Sequence, residues 1–135
     1  ILCDGAHNPH AMERLTRTCS QHYPNLDKKI LFSCIQTKSL EEMVGQLKQV
    51  PKSQLILTSF ADPRSFSKEK MEALACEQGL NYADWQDFLE AYLKAEHRND
   101  ELLLITGSLY FLAQVRAYII DKEKEHRSIY GHEEN

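Results

Sequence analysis

Along the whole chain, short apolar runs alternate with stretches of helical period, and an open α/β sheet is the architecture that absorbs such an alternation. Ile1-Leu2-Cys3-Asp4 reads as the last half of a strand that starts upstream of Ile1. Lys28 to Ile35 holds a second run, apolar on both faces as in a sheet covered from both sides. Leu55-Ile56-Leu57-Thr58 is a third, Leu80 to Ala83 a short fourth, and Leu102-Leu103-Leu104-Ile105-Thr106 the strongest of the set.

The intervening segments carry helix signals. Asn8 suits an N-cap and Pro9 the first helical position, and Met12, Leu15 and Cys19 place one apolar stripe on a helix running to about His22. Ser39 with Glu42 has the pattern of a capping box ahead of Leu40, Met43, Val44 and Leu47, with Pro51 ending that helix. Ser67 is placed to cap a helix carrying Met71, Leu74 and Ala75, which Gly79 stops. Asp84 caps the next, built on Trp85, Phe88, Leu89, Tyr92 and Leu93. A last helix is expected from Leu109 to about Asp121, followed by residues 122–135 as a charged, frayed tail. The expected fold class is α/β: one Rossmann-like three-layer domain over residues 1–135, with a mainly parallel sheet flanked by helices and right-handed crossovers. A chain of 135 residues is one domain's length by the rule of about 100 to 200 residues per domain.

Charge and cysteine usage narrow the function. A net charge of −4 lacks the basic face that nucleic-acid binding requires, so no nucleic-acid partner is expected. No apolar run reaches the length of a membrane span, so no membrane partner is expected either. Cys3, Cys19, Cys34 and Cys76 show neither C-x-x-C nor zinc-type spacing, and the first three fall on apolar faces. They read as buried reduced thiols in a cytoplasmic protein.

In a parallel sheet the segments following the strands converge on one edge. Here these are Asp4 to Asn8, Thr37-Lys38, Thr58 to Arg64 and Thr106 to Ser108. Asp4 can accept from a ribose or substrate hydroxyl, or simply form a turn; His7 can donate to a phosphate, or sit idle at the surface. Gly107-Ser108 presents backbone N–H groups at a helix start, where a carboxylate or phosphate fits, although Ser108 can equally cap its own helix. Lys38 can reach a carboxylate, or be a solvated lysine. Arg64 can clamp an anion in bidentate fashion, or form a surface ion pair. His7 and His10 lack a third ligand at a compelling position, so no metal site is expected. The P-loop pattern G-x-x-x-x-G-K-S/T, the dinucleotide fingerprint G-x-G-x-x-G and the elbow G-x-S-x-G are all absent from the sequence. Stand-alone catalysis has little support.

The strings DGAHNP (Asp4 to Pro9) and TGSLYF (Thr106 to Phe111), with LTSFADPRS (Leu57 to Ser65) between them, resemble the C-terminal domain of the folylpolyglutamate synthase/dihydrofolate synthase family, within the Mur ligase superfamily. The resemblance spans nearly the whole chain. It implies a domain that closes over a separate N-terminal P-loop ATPase domain, in an enzyme that uses ATP and Mg2+ to add L-glutamate to folate, and in some members to dihydropteroate. An acyl phosphate is the intermediate. On this resemblance Asp4 contacts the ATP ribose, His7 the phosphates as the catalytic contact, and Asn8 supports the loop. Ser108 and Tyr110 lie near the glutamate, Lys38 holds its carboxylate, and Mg2+ belongs mainly to the other domain. The family commonly has Asp-Lys-Asp where this chain has Thr37-Lys38-Ser39. The isolated domain is expected to be inactive and monomeric. The alternative is a non-catalytic Rossmann-like module that binds a nucleotide or an amino acid.

Overall fold

The computed structural model describes the backbone of residues 1–97 and 99–130, and side chains through residue 125 except that of 98. Strands and helices alternate as β1 (Leu2–Asp4), α1 (Pro9–His22), β2 (Asp27–Phe32), α2 (Leu40–Lys48), β3 (Ser53–Leu57), α3 (Lys68–Gln78), β4 (Asn81–Tyr82), α4 (Trp85–Lys94), β5 (Glu101–Thr106) and α5 (Leu109–Tyr130). The strands form one sheet in the order β1-β5-β2-β3-β4, with every pairing parallel.

Alternation along each strand divides the core in two. Ile30, Phe32, Leu55, Leu57 and Leu104 face α1, α2 and α3 through Met12, Leu15, Met43, Leu47, Met71 and Leu74. Leu31, Ile56, Leu103 and Ile105 face α4 and α5 through Trp85, Leu89, Phe111, Leu112 and Val115. A side chain of this size contributes roughly 1.5–3 kcal/mol when fully buried, and Phe32, Leu57, Leu103 and Phe111 are among those with no exposed surface. Cys19 and Cys34 are buried, Cys3 is half-buried and Cys76 is exposed, all as free thiols. Burial alone pushes the Cys34 thiol up to about 12.

Several boundaries differ from expectation, each for a local reason. The second strand ends at Phe32 instead of Ile35, because the partners of Phe32 are Thr106 and Leu57, the last residues of β5 and β3. Ile35 instead bridges antiparallel to Ser65. Ser39 precedes α2 but its hydroxyl makes no cap bond, so the expected capping box is not formed. Its own N–H is taken by Thr37 Oγ1 at 3.2 Å. The helix expected to stop near Asp121 continues to Tyr130. No Gly or Pro intervenes, and Lys122-Glu123-Lys124-Glu125 is made of good helix formers, with Lys122 and Glu125 3.6 Å apart. Residues 131–135 of the expected tail lie outside the described residues.

Candidate functional site

The helices after β1, β2 and β3 lie on one face of the sheet, and the helix after β5 on the other. Strand β5 sits between β1 and β2, so on both its flanks the chain leaves adjacent strands toward opposite faces. Such switch points open a crevice beyond the carboxyl ends of the strands. The turns after β1, β5, β2 and β3 line it, in that spatial order.

The first turn is held by its own side chains. Asp4 uses Oδ1 to accept the Ala6 N–H at 2.9 Å, while Asn8 Oδ1 accepts the Ala11 N–H at 2.8 Å and caps α1. Pro9 opens the helix, where no N–H is needed. His7 is exposed, with Nδ1 3.1 Å from the Gly5 carbonyl. A carbonyl only accepts, so Nδ1 carries the proton in this arrangement. Donation from Nε2 to an anion then requires the imidazolium.

The Gly107 turn is the tightest point of the crevice. Gly107 has φ +122°, and a Cβ there would lie 2.0 Å from the Ser33 carbonyl oxygen. Glycine is therefore demanded by the neighbouring backbone as well as by the dihedral. Ser108 is buried and accepts the Tyr110 N–H at 3.1 Å, so its hydroxyl caps α5. Leu109 and Tyr110 are exposed. Thr106 Oγ1 reaches the Ala6 carbonyl at 3.5 Å, and a Cβ on Gly5 would meet Leu109, which seats this turn against the first one.

Beyond β2, Ser33 is fully buried and its hydroxyl has no hydrogen-bond partner among the described residues. Lys38 is exposed at the head of α2. Its loop is tied to the next one by the Gln36 N–H, which donates to the Arg64 carbonyl at 2.7 Å. Arg64 is half-exposed, and its fork is already engaged. Nε donates to Asp62 Oδ1 at 3.0 Å and Nη2 to Oδ2 at 2.8 Å, while Cζ lies 3.7 Å from the Tyr110 ring centroid. Hydrogen bonds from Arg64, side chain first and then backbone, hold the Asp62 carboxyl down at about 2.

All the sequence-predicted residues thus stand on one edge, but not as one contact network. Asp4, Asn8 and Ser108 each make a local turn or cap bond, and Lys38 stands apart. The sequence reading passed over Ser33, which looked like part of a strand, and Asp62, whose spacing before Pro63-Arg64 was the available signal. Among the described residues no three His, Cys, Asp or Glu gather as a metal site. No described helix is long and apolar enough to cross a membrane.

Fold and edge together define a doubly wound α/β domain with hydrogen-bonding groups collected at its switch point. The chain belongs to the Mur ligase family, in its glutamate ligase domain, whose pattern matches residues 1–109. It is 29% identical over 117 residues to the dihydrofolate synthase/folylpolyglutamate synthase of Bacillus subtilis (strain 168), covering 86% of this chain and 27% of that protein. Escherichia coli FolC in complex with ADP superposes with a TM-score of 0.72 at 23% identity, over 90% of this chain and 29% of the other. The bifunctional folylpolyglutamate synthase/dihydrofolate synthase of Yersinia pestis, complexed with AMPPNP and Mn, gives a TM-score of 0.67 at 18% identity, over 86% and 27%. The chain spans between a quarter and a third of the length of these relatives.

Proposed function

We propose that this chain is the glutamate-side, C-terminal domain of a cytoplasmic ATP-dependent ligase that adds L-glutamate to folate, and in a bifunctional enzyme also to dihydropteroate. The observation that carries the reading is the meeting of the Asp4–Pro9 and Gly107–Tyr110 turns at one switch point, in a chain of the glutamate ligase family. A free-standing binding module is not favoured by that membership.

In the reaction, a carboxylate oxygen of the folate takes the γ-phosphoryl group of ATP and ADP leaves. The glutamate amine attacks the acyl carbon, loses a proton, and inorganic phosphate departs with the C–O electron pair. This domain contributes no nucleophile. It contributes positioning and fixed donors. Asp4, with one oxygen committed to its turn, directs its carboxylate to the ATP ribose. His7 donates a ring N–H to the phosphates while Gly5 fixes Nδ1, and Asn8 holds α1 behind it. Ser108 and Tyr110 form the glutamate side, and Lys38 supplies a cation for its carboxylate without the acidic neighbours common in the family. ATP phosphates, Mg2+ and the folate are held mainly by an N-terminal ATPase domain, the partner over which this one closes.

In the complete enzyme, His7→Ala and Asp4→Ala are expected to lower ATP-dependent glutamate addition by about 100-fold or more, the scale of losing one preorganised donor at developing charge. Their unfolding midpoints in urea should move little. Undiminished turnover in both variants overturns the assigned roles, and glutamate addition by the 135-residue chain alone overturns the need for a second domain.

A further inference from the structure

The loop after β3 is built more firmly than a connection of its length requires. The Asp62 N–H donates to the Phe60 carbonyl at 3.0 Å, the Ser65 N–H to the Asp62 carbonyl at 3.0 Å, and Ser65 Oγ lies 2.8 Å from both carbonyls. Pro63 fixes one further dihedral inside that turn. From this base the Asp62 carboxylate receives the Arg64 backbone N–H at 2.8 Å as well as both arms of its fork. The planar guanidinium is thereby laid over the Tyr110 ring. Tyr110 donates its own backbone N–H to Ser108 Oγ, so ring and hydroxyl move together.

Two further contacts join the same loop to α5. Gln114 Nε2 donates to the Ala61 carbonyl at 2.8 Å, and the Phe60 and Phe111 rings pack with centroids 5.3 Å apart. On its other side the loop is bridged to the turn that carries Lys38, through Ile35 with Ser65 and Gln36 with Arg64. Arg64 therefore lies at the joint between the Lys38 turn and the Ser108–Tyr110 turn. Asp62 holds the Nε and Nη2 edge of the guanidinium, so an incoming anion could take that edge only by displacing it. The Arg64 side chain is 52% exposed, so solvent screens the pair and it adds little to folding; its consequence is geometric.

We propose that Asp62 and Arg64 act as a latch that positions Tyr110, and with it Ser108, on the glutamate side of the crevice, Arg64 serving as a positioning residue in place of an anion contact. The inference rests on the glutamate-ligase reading for what the latch serves, but the latch itself is testable without it.

The first measurement is NMR of the 135-residue chain. The Arg64 Hε and Hδ protons should be shifted upfield by the Tyr110 ring. That shift should vanish in Tyr110→Leu, persist in Tyr110→Phe and collapse in Asp62→Asn. No upfield shift in the wild type, or an unchanged shift in Asp62→Asn, overturns the latch. The second measurement is kinetic, in the complete ligase. Arg64→Ala should raise the glutamate KM about two- to fivefold, the scale of an exposed cation–π contact, with kcat and the ATP KM within about 1.5-fold. Arg64→Lys should restore only a minor part, because an ammonium lacks the planar fork. Asp62→Asn separates the two roles for Arg64. A latch makes this variant raise the glutamate KM, whereas an Arg64 that binds the anion directly is freed by it and lowers the KM. A lowered or unchanged value overturns the proposal while leaving the ligase reading intact. A complete enzyme that adds no glutamate overturns that reading, and the NMR result then decides the latch by itself.

Discussion

The two ends of the sheet use their polar groups in opposite ways. At the amino ends of the strands lies a cavity of about 610 Å3 lined by Asp27, Lys28, Lys29, Lys52, Tyr92 and Glu101 among others. Two of its lysines are already engaged. Lys28 is 3% exposed, and its Nζ donates to the carbonyls of Leu26 and Pro51 at 2.9 and 2.8 Å. Lys52 reaches the Asn25 carbonyl and, at 3.7 Å, Asp27. At the carboxyl ends His7, Asn8, Lys38, Arg64 and Tyr110 are exposed; His7 and Asn8 bond only within their own turn, while Arg64 is held by Asp62 and lies over the Tyr110 ring. Open volume thus lies where buried and bonded lysines sit, whereas the exposed polar groups gather at the switch point.

The largest effect that tests this contrast is Gly107→Ala. Its Cβ would collide with the Ser33 carbonyl at a φ of +122°, and strain plus displacement of a packed backbone should cost about 3 kcal/mol or more. Gly45→Ala, within α2 and with nothing within 4 Å of the added Cβ, should instead stabilise by about 0.5–1 kcal/mol. Urea unfolding of both variants checks the pair, and equal midpoints would break the claim that the crevice is set by backbone contact. Next in size is Lys28→Met, which orphans two carbonyls and should cost about 2 kcal/mol. In the complete ligase its glutamate KM should stay within about twofold of wild type. A large KM change would put the amino-end cavity back among the binding sites.

A third comparison sets two caps side by side and shows what the sequence could convey. Asn8→Ala should lose about 1 kcal/mol, the usual value of a bonded N-cap. Ser39→Ala should lose almost nothing, because Ser39 at φ −94° and ψ 10° lacks the extended backbone that aims a hydroxyl at the helix N–H groups. Both positions look like caps in the sequence, since residue type reports on local propensity alone. The same limit explains the other differences. Periodicity revealed the helices, and short apolar runs the strands, of the described residues, because a helix buried on one side leaves its period in the chain and a strand buried on both leaves a run. It did not reveal that β2 stops at Phe32, which depends on where its neighbours end. Nor did it reveal that Lys28 is buried, since that burial uses the Pro51 carbonyl of a distant loop beside the neighbouring Leu26 carbonyl. Asp4, His7, Asn8 and Ser108 were legible as a spacing of turn residues after strands. The ion pair of Arg64 was one of the two readings open in the sequence, and Asp62 forms it; the seat of Arg64 over Tyr110 was not legible, because it needs β3 and α5 side by side.

The smallest effect expected is a pH dependence of the latch. Arg64 hydrogen bonds depress the Asp62 carboxyl in the folded chain to about 2 from an ordinary 3.8. A depressed carboxylate contributes stability that is fully present above its unfolded value and is lost as pH falls through the folded one. The Arg64–Tyr110 contact should therefore be insensitive to pH from 7 down to about 3, and should weaken only on approach to 2. Following the upfield-shifted Arg64 protons through an acid titration checks this directly. In Asp62→Asn the same titration should be flat, with no contact to lose. A wild-type midpoint near 4 would return Asp62 to an ordinary carboxylate, and with it the fork that holds Arg64 over the ring. Arg64 would then stand beside Lys38 as a second exposed cation on the carboxyl edge, and the difference between the two ends of the sheet would widen by one more uncommitted charge.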